Sequence, residues 1–205
     1  MTEDQQRHEL QQLARILNDP ADPDAASRLA RAMRDDGEAP IVVSACLLGA
    51  PTRHDGGDRR TETVARAVAE RRVLPLCPEL LAGLGCPRPA IHFARGDGDD
   101  VVPESDADQD PGALPPLDTG PVAVDDQGVD RGPALLAGAR RALALAQEAG
   151  AHEAILKERS PSCGCHEVHT AVGVAEGRGV FAALASRAGF TCRSDEDLGP
   201  PHSRR

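Results

Sequence analysis

The chain has no Trp and no Tyr, and its aromatic side chains reduce to Phe93, Phe181 and Phe190. Proteins that hold single-stranded nucleic acid without reading its sequence stack bases on aromatic platforms, and none can be built here. Lysine is as scarce: of the 23 basic side chains, 22 are Arg and the exception is Lys157. The net charge of −10 excludes sequence-independent phosphate binding, which needs clustered cations. No apolar run approaches the roughly 20 residues that cross a bilayer. Residues 1–6 show neither the basic start nor the apolar centre of a secretory signal. A cytoplasmic protein is therefore expected, where cysteines stay reduced and serve as metal ligands or nucleophiles more often than as disulfides.

What is present is a pattern of short branched runs alternating with helical spacing, over a length of 205 residues that suits one domain with an appendage. Residues 5–17 and 24–36 read as two amphipathic helices parted by Pro20 and Pro23, which no continuous helix would carry. This N-terminal extension, residues 1–38, bears no chemistry and is expected to serve in packing or partner contact. The main domain, 39–205, reads as α/β: a mostly parallel sheet flanked by helices. Its strands are expected at 41–45, 73–76, 154–157 and 190–192, its helices at 60–71, 133–149 and 178–188. Residues 84–93 suggest an edge strand because of Pro87 and Pro89. Residues 95–130, dense in Asp, Gly and Pro, are expected to be a long acidic loop. The glycines from Gly173 to Gly179 match no phosphate-loop spacing.

Three cysteines lie just beyond three of those strands: Cys46, Cys77 and Cys163. Parallel strands share one carboxyl rim, where ligands bind, so thiols distant in sequence should meet there. Three thiolates around a pocket suggest a soft metal centre with a position left open. Zinc sites often draw on tight local pairs, which these three lack, whereas iron–sulfur clusters are commonly held by thiolates alone. A rival zinc set is Cys163, Cys165, His166 and His169, a structural or regulatory module without catalysis. Cys192 reads as core, and Cys86 and Cys165 as spare thiols near the rim. Glu79, two residues beyond Cys77, suits a general acid or base, or simply a carboxylate favoured at a helix N-terminus. Ser160 and Ser162 either donate to a ligand or shape the turn at Pro161. Arg53, Asp55 and Arg88 are open to substrate or structural roles, and Lys157 offers a compact ammonium beside the Cys163 loop.

The segments Val43–Gly49, Arg53-His54-Asp55-Gly56, Cys77-Pro78-Glu79, Pro87-Arg88-Pro89 and Leu156–Gly164, in this order, resemble the thiouracil desulfidase (TudS-like) family. The resemblance runs from about residue 40 to 197. It implies a 4Fe-4S cluster on Cys46, Cys77 and Cys163 and a non-redox reaction. By that resemblance the open iron would take the sulfur of a thiolated pyrimidine, and sulfide and the oxygenated base would be released. Glu79 would then be the acid/base residue, with Ser160 or Ser162 assisting, and Ser44, Asp55, Arg88 and Lys157 would contact substrate. A thionucleoside or another small thio-compound stays open as the substrate, and so does a homodimer as the assembly. The sequence departs from the family where His54 replaces an aromatic residue, near His92 in place of a carboxylate, and over Cys165–His169.

Overall fold

The computed structural model describes residues 3–35, 37–103 and 122–199. Two helices open the chain, α1 (Glu3–Leu17) and α2 (Pro23–Asp35). There follow β1 (Ile41–Ser44), a 3-10 turn (Ala45–Leu48), α3 (Glu62–Ala67), β2 (Val73–Leu76), α4 (Pro78–Leu81) and β3 (Ile91–Phe93). Next come α5 (Gly98–Val101), β4 (Ala123–Asp125), α6 (Gly132–Glu148) and β5 (Glu153–Leu156). The described residues close with β6 (Glu167–Thr170), β7 (Gly173–Glu176), α7 (Val180–Arg187), β8 (Thr191–Ser194) and a 3-10 turn, Asp195–Leu198.

The first sheet is parallel throughout, in the order β2-β1-β5-β8. Its inner strands are apolar on both faces because both are covered. Val42, Leu74, Leu76, Ala154 and Leu156 join the core with Leu135, Ala139 and Ala142 of α6 and Phe181 of α7. Ile41, Val43, Val73 and Ile155, one residue out of phase, pack with Val64 of α3 and with Val68. That two-residue alternation is the signature of a pleated strand buried on both sides. The strand order turns back at β1, whose neighbours β2 and β5 are reached by separate crossovers. The loops beyond β1 and β5 therefore part at the rim and leave a crevice between them.

A second, mixed sheet runs β4-β3-β6-β7, with β3 parallel to β6 and the outer pairs antiparallel. The sequence pattern does not announce it, and two expectations change with it. The segment 84–93 contributes β3, which lies inside this sheet rather than at its edge, and Pro87 and Pro89 precede the strand. Residues 95–130 are not loop throughout: Asp97 and Asp100 form a reciprocal cap on α5, and β4 pairs with β3. Residues 104–121 of that segment lie outside the described residues. The helix expected over 60–71 is limited to Glu62–Ala67, started by the Thr61 hydroxyl accepting the Val64 N–H at 3.3 Å.

The N-terminal helices belong to the same core. Leu17, Ala26 and Ala30 are buried within the cluster that contains α6, and a side chain such as Leu17 contributes roughly 1.5–3 kcal/mol by leaving water.

Candidate active site

Cys46, Cys77 and Cys163 come together as the strand positions require. Cys46 sits in the turn after β1, Cys77 directly follows β2, and Cys163 lies in the loop after β5. All three line one cavity of about 550 Å³ at the rim, closed from the other side by residues of the second sheet, among them His92, His169 and Thr170. Burial pushes the Cys46 thiol up to about 12, with the Cys77 charge adding and the Lys157 ammonium opposing. Burial likewise raises Cys77, assisted by Glu79. It raises Cys163 well above the usual thiol range, although the Ser44 hydroxyl donates to it. Cys46 and Cys163 feel the neighbouring thiols and Cys77 feels Glu79, and a cationic centre bound among them would relieve all three at once. Among the described residues, no three His, Cys, Asp or Glu side chains close on a single point suited to one ion.

Glu79 is braced on both sides. It stands in the first turn of α4, after Cys77 as N-cap and Pro78. Arg88 Nε donates to its Oε2 at 2.7 Å, and Ser162 Oγ donates to its Oε1 at 3.2 Å. The Arg88 and Glu79 side chains are only 5% and 12% exposed, so this ion pair is poorly screened. Arg88 spends its other donors on the carbonyls of Gly85 and Thr52. Close packing fixes the helix: a Cβ on Gly138 of α6 would stand 2.0 Å from the Pro78 carbonyl.

The two serines of the Cys163 loop part in role. Ser162 is buried and meets Glu79, while Ser160 lines the cavity and its Oγ accepts the backbone N–H of Ser162 and of Cys163, each at 3.2 Å. The loop is held from below by Glu158, whose Oε1 accepts the N–H groups of Cys165, His166 and Glu167 at 3.1, 3.1 and 2.8 Å. Between them Arg159 takes φ +57°, a left-handed conformation unusual for a side-chain-bearing residue. From above, the first turn of α7 donates to the loop carbonyls of Pro161 and Ser162.

Of the residues expected to contact substrate, Arg88 and Lys157 line the cavity. Lys157 Nζ donates to the Glu158 carbonyl at 2.9 Å. Ser44 lines it too, but its hydroxyl accepts the Lys157 N–H at 3.0 Å and faces Cys163. Asp55 is not in the lining; it holds Arg53, which is, through bonds of 2.7 and 3.1 Å. The guanidinium of Arg53 and the Gly57 N–H hold the Asp55 carboxyl well below the usual carboxylate range. Sequence reasoning did not single out Thr52, in the loop beyond β1, or Asp126, just past β4, and it named His92 only as a departure from the family, because β3 and β4 are too short to announce a sheet.

The alternative zinc set is not gathered. Cys165 rests its sulfur on the Cys163 carbonyl at 3.8 Å, His166 pairs with Asp197 at 2.9 Å, and His169 faces the cavity from β6.

Fold and site together define an α/β protein with a thiol-lined cavity at the switch point of its parallel sheet. The family model for 2-thiouracil desulfurase matches residues 41–197. The uncharacterized protein YbbK of Bacillus subtilis (strain 168) is 33% identical over 161 residues, which cover 77% of this chain and 97% of that one. A solved structure, that of the 4Fe-4S-dependent thiouracil desulfidase TudS (DUF523Vcz), superposes with a TM-score of 0.60 at 31% identity, covering 78% of this chain and 93% of that one. The chain belongs to the 2-thiouracil desulfurase family. Its match begins at Ile41, so α1 and α2 lie outside the matched region. No helix among the described residues is long and apolar enough to cross a membrane.

Proposed function

We propose that the protein is a desulfidase that exchanges the sulfur of a thiolated pyrimidine for the oxygen of water at a 4Fe-4S cluster held by Cys46, Cys77 and Cys163. The observation that carries this reading is the convergence of those three thiols, from three separate rim loops, on one cavity beside a braced carboxylate. The donor set fits such a cluster: soft sulfur only, in a desolvated wall. When bound, the cluster would supply a soft Lewis-acid iron open to the C=S sulfur.

The chain supplies the rest. Glu79 takes the proton of the water whose oxygen bonds to the thiocarbonyl carbon, while Arg88 and Ser162 fix both carboxylate oxygens. As the C–S bond breaks, the sulfur departs as sulfide with the bonding pair, the carbon keeps a C=O, and no electrons are exchanged overall. Lys157 and Arg53 bring positive charge to the wall where negative charge develops. Phe93, Phe181 and Phe190 are buried and absent from the lining, where the aromatic rings among the described residues are the imidazoles of His54, His92 and His169. Burial, then Lys157 and Arg159, lower the His169 pKa, so a neutral ring stands there at neutral pH, with one nitrogen to donate and one to accept.

Protein purified without oxygen is expected to be brown, to carry iron and sulfide, and to convert 2-thiouracil to uracil and sulfide. Cys46→Ala, Cys77→Ala and Cys163→Ala should each remove colour and turnover. Full activity in colourless, iron-free protein would overturn the reading.

A further inference from the structure

Among the described residues, β2 is the outer strand of the parallel sheet and pairs only with β1. An outer strand leaves every second residue's C=O and N–H pointing away from the sheet. Pro75 tolerates that place because the N–H it lacks would have no partner strand there. The outward C=O of Pro75 and the outward N–H of Cys77 are nevertheless both satisfied. Asn18 Nδ2 donates to the Pro75 carbonyl at 2.9 Å, and Asn18 Oδ1 accepts from the Cys77 N–H at 2.5 Å. One carboxamide thus does what a peptide group of a neighbouring strand would do. Asn18 is 3% exposed, and Nδ2 spends its second hydrogen on the Ala14 carbonyl at 2.7 Å, which anchors the side chain to the end of α1. The adjacent Leu17 is fully buried. Gln11, a second polar side chain of α1, reaches the same rim at the Gly49 carbonyl, at 2.7 Å, and not at a cysteine.

We infer that Asn18 is a positioning residue for Cys77. It extends the sheet by one peptide-like unit and fixes the backbone from which that thiol enters the cavity. The N-terminal hairpin, outside the region the family model matches, is then scaffolding for the site. The importance of Cys77 as a ligand rests on the proposed function; the positioning itself does not.

The test uses metal-free, reduced full-length protein, so it reads the same whatever the cysteines hold. In the wild type, the Cys77 amide should exchange with deuterium as slowly as the amides β2 donates to β1; exchange at the rate of an open edge amide would overturn the inference. In Asn18→Ala, loss of one buried hydrogen bond should speed Cys77 amide exchange about tenfold. Iodoacetamide alkylation at Cys77 should rise relative to Cys46 and Cys163. Asn18→Asp keeps an oxygen for the Cys77 N–H but sets an acceptor against the Pro75 and Ala14 carbonyls, so it should melt below wild type and still retain more amide protection than Asn18→Ala. Arg31→Ala, which cuts the 3.0 Å pair between the same hairpin and Glu148 at the end of α6, should leave Cys77 unchanged. An equal rise at all three cysteines, or an equal effect of Arg31→Ala, would mean that the hairpin acts only through general stability and would overturn the assignment. If Asn18→Ala does not fold, the wild-type exchange rate and Asn18→Asp decide.

Discussion

Arg88 and Glu79, nine residues apart, form the least exposed ion pair seen at the cavity, with Nε 2.7 Å from Oε2. Burial alone would weaken the guanidinium's charge, yet the carboxylate and the Cys77 thiol outweigh it, and Arg88 stays cationic. A pair this dry depends on both members, because removing one strands a buried charge. Glu79→Gln leaves the buried Arg88 cation unpaired and is expected to melt below wild type, yet to keep the iron while lowering kcat by about 10²–10⁴, the range of a lost general base. Arg88→Leu should also lower thermal stability, by about 3 kcal/mol. Steady-state kinetics beside iron analysis and thermal melts check both. Full turnover in Glu79→Gln would remove this residue from the mechanism.

The neighbouring serines separate chemistry from shape. Ser162→Ala frees one oxygen of Glu79 and should reduce kcat several-fold with little change in iron content. Ser160→Ala removes the acceptor for two backbone N–H groups of the Cys163 loop. That should cost about 1–2 kcal/mol of stability and lower iron retention. A melt and an iron assay on each variant distinguish the two, and interchanged phenotypes would reverse the roles.

The cysteine half of this site is legible in the amino-acid pattern itself. Cys46, Cys77 and Cys163 each follow a short branched run, and parallel strands must deliver their ends to one rim. The second sheet is not legible in that way. β3 and β4 have three residues each, and β7 is exposed along its whole length, so none carries the apolar alternation that marks a strand. His169 reaches the cavity only because Val168 beside it turns inward, and four residues of β6 are too few to set that phase. The Asn18 bond to Cys77 spans 59 residues, and no local pattern encodes such a contact.

Glu158 ties stability to pH. Burial pushes its pKa upward, but hydrogen bonds from Ser194 and from the N–H groups of Glu167, His166 and Arg159 outweigh that, and the net shift is downward from 4.5. A carboxylate lowered in the fold stabilises above its unfolded pKa, and that stability is lost as pH falls through the folded value. Glu158→Gln should therefore be less stable than wild type at pH 7, by about 2 kcal/mol. The gap should close as the pH falls below about 4.5, the ordinary carboxylate value. Denaturant melts at several pH values measure it. A constant gap would show that shape, not charge, is what the loop takes from Glu158.

The last constraint on the Cys163 loop is spatial. A Cβ built on Gly179 would lie 2.4 Å from the carbonyl carbon of Ser162 and 2.5 Å from the nitrogen of Cys163. Both are backbone atoms with no rotamer to yield, and Gly179 itself sits at φ −72°, open to any residue. The demand for glycine is thus one of space alone. Gly179→Ala must push the loop off α7, and overpacking of this kind costs about 1–3 kcal/mol. Because the displaced atoms carry Cys163 and Ser162, iron retention and kcat should fall further than a melt alone would suggest. Gly189, at φ +85° with no atom within 4 Å of its would-be Cβ, supplies the contrast. Its alanine variant should lose some stability to backbone strain and leave iron content untouched. Equal iron loss in the two variants would mean that global stability governs the loop, not the contact at Gly179.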